Sequence, residues 1–207
     1  MLQDLIAVLA GFIVAVIGAT GYVGVALLMA IESACIPLPS EIIMPFAGYL
    51  VSTGQLSLLG VATAGALGCN LGSVVAYWIG AKGGRPAVQR FGRLVLIGPA
   101  ELAWAEHFFE RFGGVAVFIG RLLPVVRTFI ALPAGIARMP QLPFHLYTFV
   151  ASWIWCYALA YVGERLGARW DSDPTLRALF HQFDLAIAVL LVGAVAVFVW
   201  HKLRHRG

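Results

Sequence analysis

The sequence predicts an all-α integral membrane protein, in which two opposed re-entrant helical hairpins and three or four spanning helices form an inverted repeat with an amphipathic surface linker. Three observations carry this expectation. The 207 residues are 61% hydrophobic and 12% charged, with a mean hydropathy of +0.90, whereas a soluble domain is roughly a quarter charged. Two apolar segments are interrupted by prolines, which leaves arms too short to span a bilayer. Those same segments hold isolated charges, Glu32 and Glu41 in the first and Arg121 and Arg127 in the second. A charge at bilayer depth costs roughly 2.5 kcal/mol or more, so such groups face a polar cavity, pair with an opposite charge, or serve a function.

Residues 2–19 are apolar apart from Gln3 and Asp4. At about 1.5 Å per residue they are just long enough to cross the hydrocarbon core, as a first span or as a helix lying at the interface. No basic stretch precedes them, so a retained helix is expected rather than a cleaved signal peptide. Residues 22–36 and 40–52 flank a break at Pro37 and Pro39. Read as a re-entrant hairpin over 22–54, they need their open backbone buried in protein or lining a cavity. The alternative is one proline-kinked helix from 22 to 52, longer than a bilayer requires.

Residues 56–81 read as a spanning helix with Gly60, Ala64, Gly68, Gly72, Ala76 and Gly80 at every fourth position. This stripe admits a second backbone at close range, either within the chain or across a homo-oligomer seam. Asn70 lies off the stripe and either bridges helices or lines a cavity.

Residues 82–112 hold Lys82, Arg85, Arg90, Arg93 and Arg111 against Glu101, Glu106 and Glu110. Pro99 stands at a helix start, and Leu102, Ala105, Phe108, Phe109 and Phe112 recur at helical spacing, the pattern of an amphipathic helix on a membrane surface. The second hairpin, 113–138, is expected to break at Pro124 and again at the turn signal Pro133-Ala134-Gly135. Residues 143–163 and 182–200 are further spans, joined by a polar loop over 164–181. The basic residues that fall on one side under this threading number nine against three in the 164–181 loop. The richer side, with the C-terminus, is therefore expected in the cytoplasm of a multi-pass protein. The two hairpins then enter from opposite sides, the layout of secondary transporters with a site near the midplane.

Several function classes are disfavoured. The net charge of +4 sits at the ends of apolar runs and not on an aromatic-studded face, so no nucleic-acid partner is expected. Cys35, Cys69 and Cys156 are scattered within apolar segments and indicate neither a metal site nor a disulfide framework. No cofactor is implied. Ser33, Ser40 and Ser73 have no histidine within their segments and no metal-ligand cluster beside them, so the chain is not read as an enzyme.

The charged pairs point to transport. Glu32 and Glu41 are nine positions apart and would diverge on an unbroken helix, as would Arg121 and Arg127. Proline breaks free each pair from helical phase, so both members can face one cavity. Half-helix N-termini and the planar fork of arginine suit an anionic group such as phosphate. A carboxylate beside them has a charge state that responds to pH and to a bound anion. The bland alternatives are snorkelling charges, pairs that merely tie the hairpins together, and Glu41 as a helix-start acid.

E-S-A-C-I-P-L-P-S-E at 32–41 with Gly48, and F-x-G-R-x-x-P-x-x-R-T at 118–128 with P-A-G at 133–135 and Met139, closely resemble the DedA family of bacterial inner-membrane proteins. That family belongs to the larger VTT, or SNARE-associated, group, whose eukaryotic relatives include lipid scramblases. The resemblance runs from about Gly21 to Trp155 and implies two opposed re-entrant hairpins with proton or membrane-potential dependence. For some members it implies return of undecaprenyl phosphate across the membrane. It carries over acids at Glu32 and Glu41 and basic residues at Arg121 and Arg127; proton coupling is then expected of the acids, and headgroup contacts of Arg121, Arg127 and the adjoining Thr128. The leading expectation is therefore a flippase for a polyprenyl phosphate or an anionic phospholipid. The alternatives are a proton-coupled transporter of a small ion or drug, and a phospholipid scramblase.

Overall fold

The computed structural model describes residues 2–36, 38–95, 99–123 and 126–167. Pro37, Pro124, the expected span at 182–200 and most of the 164–181 loop lie outside the described residues. The elements within them are helices: α1 (Leu2–Thr20), α2 (Tyr22–Ser33), α3 (Ser40–Ser52), α4 (Leu58–Val95), α5 (Pro99–Leu122), α6 (Val126–Phe129), α7 (Ala131–Ile136) and α8 (Gln141–Leu166).

Two stretches, Leu58–Gly83 in α4 and Gln141–Leu166 in α8, are long and apolar enough to cross a membrane. Their side chains are sorted for lipid rather than for water. On α4 the large residues Leu67, Leu71, Val75 and Ile79 face outward, while Gly68, Gly72, Ala76 and Gly80 are buried. In a bilayer there is no gain from hiding leucine, so the interior goes to residues that allow close backbone packing. The small-residue stripe is filled from within the chain. A Cβ at Gly68 or Gly72 would strike the carbonyls of Ala26 and Ala30 on α2, and one at Gly80 would strike that of Leu132 on α7.

α4 and α8 form a central antiparallel pair tied by side-chain hydrogen bonds. Asn70 reaches His145, donating to its backbone carbonyl at 3.0 Å and meeting its ring Nδ1 at 2.6 Å. Trp153 Nε1 donates to Thr63 Oγ1 at 3.2 Å. Asn70 is thus a bridge between helices, the plainer of its two expected roles. α4 also runs farther than the expected end at 81 and continues to Val95, through glycines and a proline that ordinarily stop a helix.

The segment after α1 doubles back on itself. Tyr22 Oη accepts a hydrogen bond from the Ser57 backbone N–H at 2.7 Å, so the chain returns to where α2 began before α4 starts. A single kinked helix over 22–52 would part those ends by about 45 Å. The register of Ala26 with Gly68 and of Ala30 with Gly72 makes α2 parallel to α4. In the second half, α5 bends at Gly113 (φ 48°, ψ −126°), the conformation that Gly21 (φ 58°, ψ −127°) adopts between α1 and α2. Residues with a Cβ are essentially excluded from it.

Pro133 and Gly135 do not break the second segment. Val126–Ile136 is one apolar helical run in which Ile130 and Ala134 continue the hydrogen-bond ladder. Pro133 falls in the first turn of α7, where a missing N–H costs little. Gly135 lets α7 lie against the Tyr77 carbonyl, and the turn comes later, at Ala137 and Arg138.

The packing exchanges arms between the halves. α2 packs along α4 and α5 along α8, whereas α3 packs along α8 and α7 along α4. The exchanged contacts match in detail. Gly48 and Gly163 are pressed against the carbonyls of Ala160 and Pro45; Gly135 and Gly80 are pressed against those of Tyr77 and Leu132.

Candidate functional site

The ends of the short helices converge between α4 and α8, and each end delivers polar side chains there. α2 terminates in Glu32 and Ser33, α3 opens with Ser40 and Glu41, α5 ends at Arg121-Leu122, and α6 carries Arg127 and Thr128. α4 contributes Cys69 and Ser73, one turn apart on one face, and α8 contributes Trp155 and Cys156.

Among the described residues, the ionised side chains that are buried are Glu32, Arg121 and Arg127, at 3%, 1% and 1% exposure. Arg127 Nη2 donates to Glu32 Oε2 at 3.3 Å and to Cys69 Sγ at 3.6 Å. Its guanidinium lies over the Trp155 ring, 5.0 Å from the centroid. Among the described residues, Arg121 hydrogen-bonds only neutral groups: Nη1 donates to Ser33 Oγ at 3.5 Å, and Nη2 donates to Ser73 Oγ. Ser73 in turn donates to the Cys69 carbonyl within its own helix. Among the described residues, two guanidinium groups therefore face one carboxylate, and Arg121 makes no ion pair, although Glu32 lies within electrostatic reach of it. Arg121 Nε and Arg127 Nη1 find no acceptor among the described residues.

The structure brings Glu32, Arg121 and Arg127 together at the centre. Thr128 stands beside them, buried, and its carbonyl accepts a hydrogen bond from Cys35 Sγ at 3.5 Å, linking the two segments. Glu41 is half-buried in the first turn of α3 and makes no ion pair with a described residue, although it lies within electrostatic reach of Glu32 and Arg127. Pro39 holds the position before α3 in an extended conformation, as a break should. Asn70 belongs to the α4–α8 bridge.

Sequence reasoning passed over Ser33, Ser73, Cys69 and Trp155 as site members. Ser73 and Cys69 share a helical face, but small neutral groups are ordinary in membrane helices and raise no electrostatic alarm. On the outer side of the same α5–α7 backbone lies an apolar groove of about 500 Å³, lined by residues that include Phe112, Ile119, Gly120, Val126 and Ile130. Gly120 and Val126 are the immediate neighbours of Arg121 and Arg127. One stretch of chain thus presents cations inward and a greasy channel outward.

Comparison with known proteins places the chain in a family. The VTT domain family matches residues 38–165. The Bacillus subtilis membrane protein YkoX is 37% identical over 89% of this chain and 80% of its own length. Undecaprenyl phosphate transporter A of the same organism is 36% identical over 84% of this chain and 85% of its own. A Lactococcus lactis relative named alkaline phosphatase-like protein is 32% identical over 90% of each. No solved structure matches the chain. The chain belongs to the VTT domain family, the wider group of the DedA proteins.

Proposed function

We propose that this VTT-domain membrane protein is a flippase for a phosphate-headed lipid, undecaprenyl phosphate above all, in a bacterial inner membrane with its C-terminus in the cytoplasm. The observation that carries the reading is the buried surplus of positive charge, since among the described residues Arg121 hydrogen-bonds only serines and both arginines keep an N–H without an acceptor. A buried cation without a counter-charge is costly, and a phosphate monoester removes that cost while filling the open donors. The relative named undecaprenyl phosphate transporter A supports the choice of lipid. The return of the chain to Tyr22 and the exchanged packing of α3 and α7 support a pair of re-entrant hairpins in an inverted repeat, as transporters with a midplane site use.

Each site residue then has a role. Arg121, Arg127 and Thr128 bind the headgroup, and the prenyl tail lies along the groove behind Gly120 and Val126 in contact with the bilayer. An arriving phosphate competes with Glu32 for Arg127. A carboxylate deprived of its cation in an apolar interior takes up a proton, so binding and protonation of Glu32 are linked, with Glu41 passing the proton at the mouth of the site. Dependence on the proton-motive force follows.

The test is transport by purified protein in proteoliposomes holding undecaprenyl phosphate, with and without a proton gradient. Arg121→Ala and Arg127→Ala should insert into the membrane and lose flipping. Wild-type flipping by both variants would remove the headgroup assignment. Release of inorganic phosphate in place of lipid movement would favour the phosphatase reading that the Lactococcus relative's name suggests.

A further inference from the structure

Six buried side-chain polar atoms lack a partner among the described residues: Ser40 Oγ, Arg121 Nε, Arg127 Nη1, Thr148 Oγ1, Ser152 Oγ and Trp155 Nε1. Three of them, at 148, 152 and 155, follow one another along a single face of α8. Serine and threonine in a helix can turn back to the carbonyl four residues earlier, so their isolation is easily relieved. An indole cannot reach its own backbone in this way. Its N–H is a donor with no acceptor capacity, and a buried orphan of this kind is expensive to maintain. Trp155 is therefore the informative member of the set.

Its surroundings narrow the missing partner further. The Arg127 guanidinium stacks on the Trp155 ring, 5.0 Å from the centroid, an attraction that also fixes the plane of the fork. With that plane held, Nη2 turns to Glu32 and Cys69, while Nη1 is left open. The two unfilled groups at this contact are both donors, and neither meets an acceptor among the described residues. A zwitterionic or hydroxyl ligand would bring donors of its own; an oxyanion brings acceptors only.

We infer that Trp155 is a headgroup ligand: its Nε1–H donates to an oxygen of the same phosphate that Arg127 Nη1 holds, while its ring sets the orientation of that arginine. The inference rests on the phosphate-lipid reading above and adds to it a means of discrimination. The Trp155 donor favours the charged oxygens of a phosphate monoester over the neutral hydroxyl of the corresponding alcohol.

The experiment measures binding of undecaprenyl phosphate and of undecaprenol to the full chain in detergent, for wild type, Trp155→Phe, Trp155→Leu and Arg121→Ala. Phenylalanine keeps an aromatic face and loses the N–H, so binding of the phosphate should weaken about tenfold, the worth of one hydrogen bond to a charged acceptor, with binding of the alcohol unchanged. Leucine also loses the stacking and should weaken phosphate binding more. A readout that needs no variant is the indole 15N–1H spectrum of the wild type. One of its six tryptophan signals should shift on adding the phosphate and stay still with the alcohol. Unaltered phosphate affinity in Trp155→Phe, or no shifted indole signal, while Arg121→Ala loses binding, overturns the role of Trp155 alone. Full phosphate binding by Arg121→Ala overturns the headgroup reading beneath it.

Discussion

The two broken segments are built on one frame and carry opposite chemistry. Each follows a glycine bent into the same left-handed conformation, Gly21 in the first and Gly113 in the second. Each sends one arm along its own long helix and the other along its counterpart's, through glycine contacts spaced three residues apart on both sides: Pro45 to Gly48 against Ala160 to Gly163, and Leu132 to Gly135 against Tyr77 to Gly80. At the inner ends the likeness stops, since the first presents Glu32, Ser33, Ser40 and Glu41, and the second Arg121, Arg127 and Thr128. Backbone-to-backbone contact through small residues is thus sufficient to hold the arms, which leaves the few polar tips free to differ. The proposed function rests on this asymmetry of charge.

The comparison breaks hardest at the ion pair. Arg127→Ala strands Glu32 in the interior and should cost about 3–5 kcal/mol in detergent unfolding, whereas Arg121→Ala, whose partners are serines, should leave unfolding nearly unchanged. Replacing both members at once, Glu32→Leu with Arg127→Met, should recover most of the lost stability and none of the transport. A next step sharpens the likeness of the frames. Gly48→Val and Gly135→Val each force a side chain into a backbone carbonyl and should cost a similar amount, about 1–3 kcal/mol by overpacking. Gly18→Val, with open space around it, should be silent in the same thermal assay. The smallest effect belongs to the shared bridge between the halves. Asn70→Ala should cost about 0.6 kcal/mol, the average for one interhelical hydrogen bond in a membrane, and leave flipping at the wild-type rate; a strong transport defect would return Asn70 to the cavity.

How much of this was legible in the chain depended on what each residue costs. Glu32, Arg121 and Arg127 stood out because ionised groups are rare in apolar runs, and they do meet. The glycine stripe of α4 was visible as a period of four, and its partners are α2 and α7. Pro133 and Gly135 were misread as a break because turn residues also serve in the first turn and at close contacts of a helix. The charged run after Ala81 was read as the end of a helix, yet α4 continues to Val95. Gly83, Gly84, Pro86 and Gly92 are poor helix residues, so local propensity does not account for the continuation. Trp155, Ser33 and Ser73 were invisible because their significance is an absent or unusual partner, a property of the assembled fold and not of spacing. The Gly113-Gly114 doublet was the available hint of a bend.

Because α3 lies against α8 and α7 against α4, the molecule is interlocked across its own middle. On the ribosome, α3 is complete at Ser52 and can meet α1, α2 and α4, but its most extensive partner is absent until Gln141 and the residues after it have emerged, so the first half waits, half-assembled, for the second. Neither half is expected to fold alone. A gene cut between α4 and α5 would yield two fragments that are degraded when made singly and persist only when made together.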